Sequence, residues 1–305
     1  MGSHLYIKNE KNNHIYININ GSIVMRKNAK ISVFDSGFLL GDGVWEGIRL
    51  HNGKLVHIEE HLKRLFMSAS GLSINIGLTE KEIIKEIFKT IRKNKMFSNV
   101  HIRLIISRGD KITPYQNPKV NIGPINFVII PEFKKVDQKI YSSGIKIGRV
   151  SNIRPNEKIL DPRFNTLSKL NCILASIEAN NKGFDEGIMN DLNGYISTCN
   201  STNLFFVKNN EIWTSTGEFC LNGITRNRVI YLCKKNKIAC VEKNFLFSEI
   251  EDCDEAFVTG TFSGVIPVSH LEDKNLTSTD SSSLTNKIRF LYFNDIDSYC
   301  QNAKH

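Results

Sequence analysis

Apolar residues recur at helical spacing in three stretches of the chain. Over 57–69, Ile58, Leu62, Leu65 and Phe66 fall on one face, and from about residue 80 to 95 Ile83, Ile84, Ile87 and Ile91 do the same. The second stretch opens on Thr79-Glu80-Lys81-Glu82, a capping box: the Thr79 hydroxyl accepts from the amide three residues on, and Glu82 reaches back to the Thr79 amide. The third runs from Leu170 to Asn181, with Leu170, Leu174 and Ile177 in register.

Strand patterns occupy residues 100–107, 126–130, 144–150, 195–198, 204–207, 238–242 and 255–259. Three Asn-Gly pairs, Asn20-Gly21, Asn52-Gly53 and Asn193-Gly194, stand between extended apolar segments, and each suits a type I′ hairpin because both central positions of that turn need positive φ. Antiparallel sheet is therefore expected in both halves. Residues 131–143 are polar and lysine-rich, which reads as a linker. No internal repeat or low-complexity tract interrupts the pattern.

At 305 residues and 41% apolar composition the chain buries a large core in one or two domains, which excludes intrinsic disorder and small disulfide scaffolds. The formal charge is +9, but acids and bases are interleaved, as in Glu80-Lys81-Glu82, so the balance favours anionic small ligands over nucleic acid. Seven cysteines, with no C-x-x-C pair and no clustering with histidine, indicate neither a disulfide framework nor a metal site and fit a reducing cytoplasm. The N-terminus, Met-Gly-Ser-His-Leu-Tyr-Ile-Lys, lacks the apolar stretch of a signal peptide, and no run is long enough to cross a bilayer. A soluble, untargeted protein is the expectation.

Two segments have the chemistry of an anion site. In Cys220-Leu221-Asn222-Gly223-Ile224-Thr225-Arg226, glycine precedes the helix-like run Val229-Ile230-Tyr231-Leu232. The amides of Ile224 and Thr225 would then lie at a helix N-terminus, where free N–H groups and the positive dipole end attract phosphate. Thr259-Gly260-Thr261 closes a strand-like run, with glycine allowing close approach and hydroxyls able to bond an anion. Taken singly, each also reads as an ordinary cap or turn.

These segments sit in a longer pattern. FLLGDGVWEGIRLHNGKLVHIEEHLKRLFMSASGL (38–72), HIRLIISRGD (101–110), GFDEGIMNDLNGYIS (183–197), NLFFV, LNGITR and DEAFVTGTFSGVIPV (254–268) together resemble the class IV pyridoxal-phosphate aminotransferases, the family of the branched-chain and D-amino-acid transaminases and of aminodeoxychorismate lyase. The resemblance covers nearly the whole chain. It implies an α+β, D-amino-acid-aminotransferase-like two-domain fold: a small N-terminal α/β domain (1–131), the linker (132–143), and a larger C-terminal pseudo-barrel domain that binds the cofactor (144–305). It also implies a homodimer acting on an amino acid and a 2-oxo acid with pyridoxal phosphate. Carried over by position, Arg64 grips the cofactor phosphate with Gly223, the Ile224 and Thr225 amides and Thr261. Leu221 packs on the pyridine ring, and Leu40, Trp45, Arg49, His101 and Arg103 line the substrate pocket. A guanidinium with helix-terminal amides is what a dianion needs.

Two positions depart from the family pattern. The lysine that bonds the cofactor aldehyde and moves the substrate proton is usually written K-T-x-N-Y-L-x-N-x-L-A, and the register fixed by Leu170, Asn171, Ile173, Leu174 and Ala175 puts Asn165 in its place. Lys169 falls where the family has a tyrosine beside the reacting carbon. It is the candidate migrated catalytic lysine; in the competing reading it is a charge partner for the cofactor's phenolic oxygen or a helix-surface residue, and no aldimine forms. Thr198 stands where a carboxylate would contact the ring nitrogen, and a hydroxyl there is expected to leave that nitrogen largely neutral and weaken the electron sink. The leading reading is a transaminase of the branched-chain type. The alternatives are a lyase of the same fold, or a catalytically silent paralogue that binds pyridoxal phosphate or another phosphate ester.

Overall fold

The computed structural model describes residues 6–302. The first five residues, part of the N-terminus read above for a targeting signal, lie outside the described residues. The chain forms two compact units. One comprises Ile7–Lys135 together with Phe164–Lys169, the other Val136–Arg163 and Leu170–Asn302.

In the first unit, six strands form a sheet in the order β2-β1-β6-β5-β3-β4: β1 Tyr16–Ile19, β2 Ser22–Met25, β3 Gly43–His51, β4 Lys54–Leu55, β5 Val100–Ser107 and β6 Asn126–Phe133. Asn20-Gly21 and Asn52-Gly53 turn the two hairpins with positive φ at both residues, 51° and 82° in one, 47° and 76° in the other. Helices α2 (Ile58–Gly71) and α3 (Glu80–Lys93) cover one face, and the capping box at Thr79 and Glu82 is present. Val44, Ile48, Leu50, Ile102, Leu104 and Ile106 from that face pack with Leu62, Leu65, Ile83 and Ile87 as a continuous core. The preceding short helix α1 is Ser36–Leu40. Strand β3 was not marked by the sequence pattern, because the acid Glu46 interrupts its apolar alternation.

The second unit begins where a linker was expected, and that stretch carries more structure than a linker. Strand β6 runs on to Phe133, and helix α4, Lys139–Ser143, buries Ile140 and Tyr141. Eight further strands follow: β7 Ile145–Arg149, β8 Glu186–Asn190, β9 Ile196–Cys199, β10 Asn203–Lys208, β11 Glu211–Thr214, β12 Cys240–Glu242, β13 Glu255–Gly260 and β14 Gly264–Leu271. They order as β9-β8-β7-β14-β13-β10-β11-β12 in a mixed sheet, with the short strand Lys274–Asn275 alongside β14. After α4, the helices of this unit are α5 (Glu157–Leu160), α6 (Leu170–Asn181), α7 (Ile224–Lys235) and α8 (Leu284–Asn302).

One sequence expectation is corrected here. Asn193-Gly194 does not make a type I′ turn: only Gly194 has positive φ, and its N–H closes a turn onto the Asp191 carbonyl at 3.2 Å. The Asp191 side chain, accepting from the amides of Asn193 and Tyr195, organises the loop instead. In α6, the Leu170, Leu174 and Ile177 stripe faces outward at 65, 46 and 51% exposure, joined by Ile173, while Ala175 and Ala179 form the buried face. Small side chains let the helix lie close against β7 and β8.

Candidate active site

Strand β3 builds a cluster of candidate residues within the first unit. Its two-residue period sends Glu46 with the apolar residues toward α2, and sends Trp45 and Arg49 to the opposite face. Register with β5 sets Arg49 opposite His101 and Gly47 opposite Arg103. A Cβ on Gly47 would meet Nε2 of His101 at 2.9 Å, so the missing side chain is what admits the imidazole. The Arg103 guanidinium stacks on the Trp45 indole, 3.9 Å from the ring centre. Trp45, Arg49, His101 and Arg103 are thus brought together. Leu40, exposed, ends α1 beside Gly41, whose αL backbone lies against Ser168.

Arg64 lies on the other side of β3. From α2 it donates to the Glu46 carboxylate through Nε and Nη2, both at 2.8 Å, and His61 Nδ1 reaches the same carboxylate at 2.7 Å. Glu46 and His61 are fully buried. Burial alone would raise the Glu46 carboxyl, but the Arg64 guanidinium and the His61 ring outweigh it and hold it at about 2. Neither Glu46 nor His61 stands out in the sequence pattern. The available signal was an acid on the apolar face of a strand, followed by H-x-x-R on a helix.

The segment Phe164–Lys169 is laid along β3. The Trp45 N–H donates to the Asn165 carbonyl, Leu167 N–H to Gly43, and the Trp45 indole N–H to Thr166. Asn165 is 2% exposed, and its Nδ2 donates to the Trp45 carbonyl at 2.7 Å while its Oδ1 is buried without a hydrogen-bond partner. An orphaned polar atom thus marks the position where the family pattern has lysine. Four residues on, Lys169 Nζ lies 5.6 Å from the centre of the Trp45 indole.

The other unit holds a separate cluster around Asn203, a residue with no signal in the sequence pattern. Helix α7 starts at Ile224 with Gly223 as its N-cap, and no side chain caps it. A Cβ on Gly223 would strike the Asn203 Oδ1 at 2.2 Å. Asn203 Nδ2 donates to the Leu221 carbonyl at 2.9 Å, and Asn203 is in register with Thr259 on β13. This places the start of α7 next to Thr259-Gly260-Thr261. Thr259 is buried and its hydroxyl has no partner, whereas Thr225 Oγ1 meets Tyr292 at 3.3 Å. An uncapped helix start beside an orphaned hydroxyl and a glycine fits the phosphate end of pyridoxal phosphate. Thr198 Oγ1 donates to the Thr202 carbonyl at 2.7 Å, and Thr202 Cγ2 lies 3.7 Å from where a Gly260 Cβ would stand, so Thr198 adjoins the same cluster.

Residues 43–271 match the family model of class IV amino-transferases. The chain is 36% identical over 276 residues to branched-chain-amino-acid aminotransferase-like protein 2 of Arabidopsis thaliana, covering 90% of this chain and 49% of that protein. It therefore spans about half the length of the Arabidopsis relatives it matches. Against the solved branched-chain amino acid aminotransferase of Escherichia coli the TM-score is 0.85 at 27% identity, covering 92% of this chain and 94% of the other. The branched-chain aminotransferase of the thermophilic archaeon Thermoproteus uzoniensis, solved with norvaline, gives 0.83 at 25% identity over 93% of this chain and 95% of that one. With the two-unit architecture and the phosphate-type cluster in place, the chain belongs to the class IV amino-transferase family.

Proposed function

We propose that the protein is a pyridoxal-phosphate-dependent transaminase that moves an amino group from an amino acid, of branched-chain type, to a 2-oxo acid, with Lys169 as its catalytic lysine. The observation that carries the reading is the lodging of Phe164–Lys169 along β3, with the Lys169 amine 5.6 Å from the centre of the Trp45 indole, a residue the reading assigns to the substrate pocket. Bound to the chain, the cofactor supplies an aldehyde to hold the amino group and a ring to spread the charge left at Cα. In this reading Arg64, Gly223, Ile224, Thr225 and Thr261 hold the phosphate, Leu221 supports the ring and Thr198 meets its nitrogen. Lys169 Nζ takes the substrate Cα proton, and Trp45, Arg49, His101 and Arg103, with Leu40 at the rim, receive the substrate. Arg103 and His101 are suited to a carboxylate.

A homodimer is part of the proposal, since Leu170, Ile173, Leu174 and Ile177 form a contiguous outward apolar stripe of the kind a second copy covers. So is a cytoplasmic setting, in keeping with seven free thiols. Among the described residues no helix is long and apolar enough to cross a membrane.

Borohydride reduction of the protein loaded with pyridoxal phosphate tests the reading. The expected result is a covalent adduct that peptide mapping assigns to Lys169, together with amino transfer from branched-chain donors to 2-oxoglutarate. A colourless sample with no adduct supports the silent reading, which Asn165 favours. An adduct on another lysine removes Lys169 from the mechanism.

A further inference from the structure

The Thr198 hydroxyl has one proton, and the structure shows where it goes. Oγ1 lies 2.7 Å from the Thr202 carbonyl oxygen, a group that can only accept, so Thr198 is the donor. That carbonyl is held in place. It also accepts the Cys199 N–H at 3.0 Å, Thr202 Oγ1 donates to the buried Glu186 carboxylate at 2.6 Å, and the neighbouring Asn200 Oδ1 accepts from Gly187. Thr198 and Thr202 are 6% and 5% exposed, so water does not compete for the bond. What Thr198 offers to anything beside it is therefore a lone pair.

We propose that Thr198, its proton committed to the Thr202 carbonyl, acts as a hydrogen-bond acceptor that keeps the cofactor's ring nitrogen protonated. The inference rests on the functional reading in which Thr198 meets that nitrogen. A neutral pyridine nitrogen also carries a lone pair, and against Thr198 it would be left unsatisfied in a buried site. For Thr198 to donate to it instead, the hydroxyl would have to abandon the carbonyl at 2.7 Å and leave two oxygens facing each other without a proton. A protonated nitrogen completes a chain, from N–H to Thr198 Oγ1 and from Thr198 to the Thr202 carbonyl, in which each group is satisfied. The expectation drawn from residue type alone, a neutral nitrogen and a weak electron sink, is reversed by the direction of one hydrogen bond. Thr198 thus replaces the family's carboxylate with an acceptor of no net charge, which favours amino transfer over the lyase alternative.

The test is NMR of the protein loaded with pyridoxal phosphate isotopically labelled at the ring nitrogen, whose shift distinguishes protonated from neutral forms. At neutral pH the wild type and T198S are expected to give the protonated signal, and T198V, which keeps the shape and removes the acceptor, the neutral one. A neutral signal in the wild type overturns the proposal without reference to any variant. Identical protonated signals in wild type and T198V also overturn it, because Thr198 would then not be the group responsible. If the wild-type chain binds no cofactor, the functional reading falls first and this inference with it.

Discussion

Asn165 and Trp45 are locked to each other twice: the Trp45 N–H donates to the Asn165 carbonyl at 3.0 Å, and Asn165 Nδ2 donates to the Trp45 carbonyl at 2.7 Å. The residue at the family's lysine position is therefore a structural clasp. It fixes the short segment that carries Lys169, while its Oδ1 is buried without a hydrogen-bond partner.

That arrangement predicts the outcome of exchanging the two positions. In K169A, amino transfer should fall by roughly 100- to 10,000-fold, the range for removing a positioned acid-base group, and the reducible adduct should disappear. In the double variant N165K/K169Y, which restores the family order, the adduct should reappear and map to position 165. Mass spectrometry of the reduced, digested protein reads both.

The buried Glu46 carboxylate gives a pH signature. Its carboxyl is depressed from 4.5 to about 2 in the folded chain, so its contribution is complete above the unfolded value and is lost as pH falls from about 4.5 toward 2. At 1.36 kcal/mol per unit this is about 3 kcal/mol. Urea unfolding of the wild type should show stability dropping across that window, and E46Q should be less stable at pH 7 by a comparable amount with a flatter acid limb.

The return of Phe164–Lys169 to β3 depends on Gly43. A Cβ there would meet the Ile106 carbonyl oxygen at 2.5 Å and Leu167 Cδ1 at 2.6 Å, and the first of these is backbone that cannot swing aside. G43A should cost on the order of 1–3 kcal/mol, as overpacking does. Thermal denaturation measures it, and borohydride labelling of the folded fraction should fall as well.

The outward stripe of α6 predicts the assembly. L174E with I177E should leave the far-ultraviolet spectrum unchanged, since both side chains are half exposed in the single chain, and should convert a dimer to a monomer by analytical ultracentrifugation. A dimer that survives both substitutions would place the interface elsewhere.

Much of this molecule is written in local pattern. The capping box at Thr79, the helix over Leu170–Asn181, the strand Val100–Ser107 and the hairpins at Asn20-Gly21 and Asn52-Gly53 follow from periodicity and from the φ values that few residues tolerate. The glycine before α7 and the Thr-Gly-Thr closing β13 are legible for the same reason, because an uncapped helix start and a glycine are properties of neighbours in sequence. Tertiary structure decided what those patterns face. The leucine stripe of α6 is the same helix whether it points in or out, and packing chose the alanine side. Glu46 spoiled a strand signal until Arg64 and His61, on another element, supplied its counter-charges. Thr198 named a hydroxyl, but only the position of the Thr202 carbonyl fixed which way its proton points. Backbone preference acts over a few residues and can be read along the chain, whereas charge compensation, burial and hydrogen-bond direction depend on groups that meet only after folding.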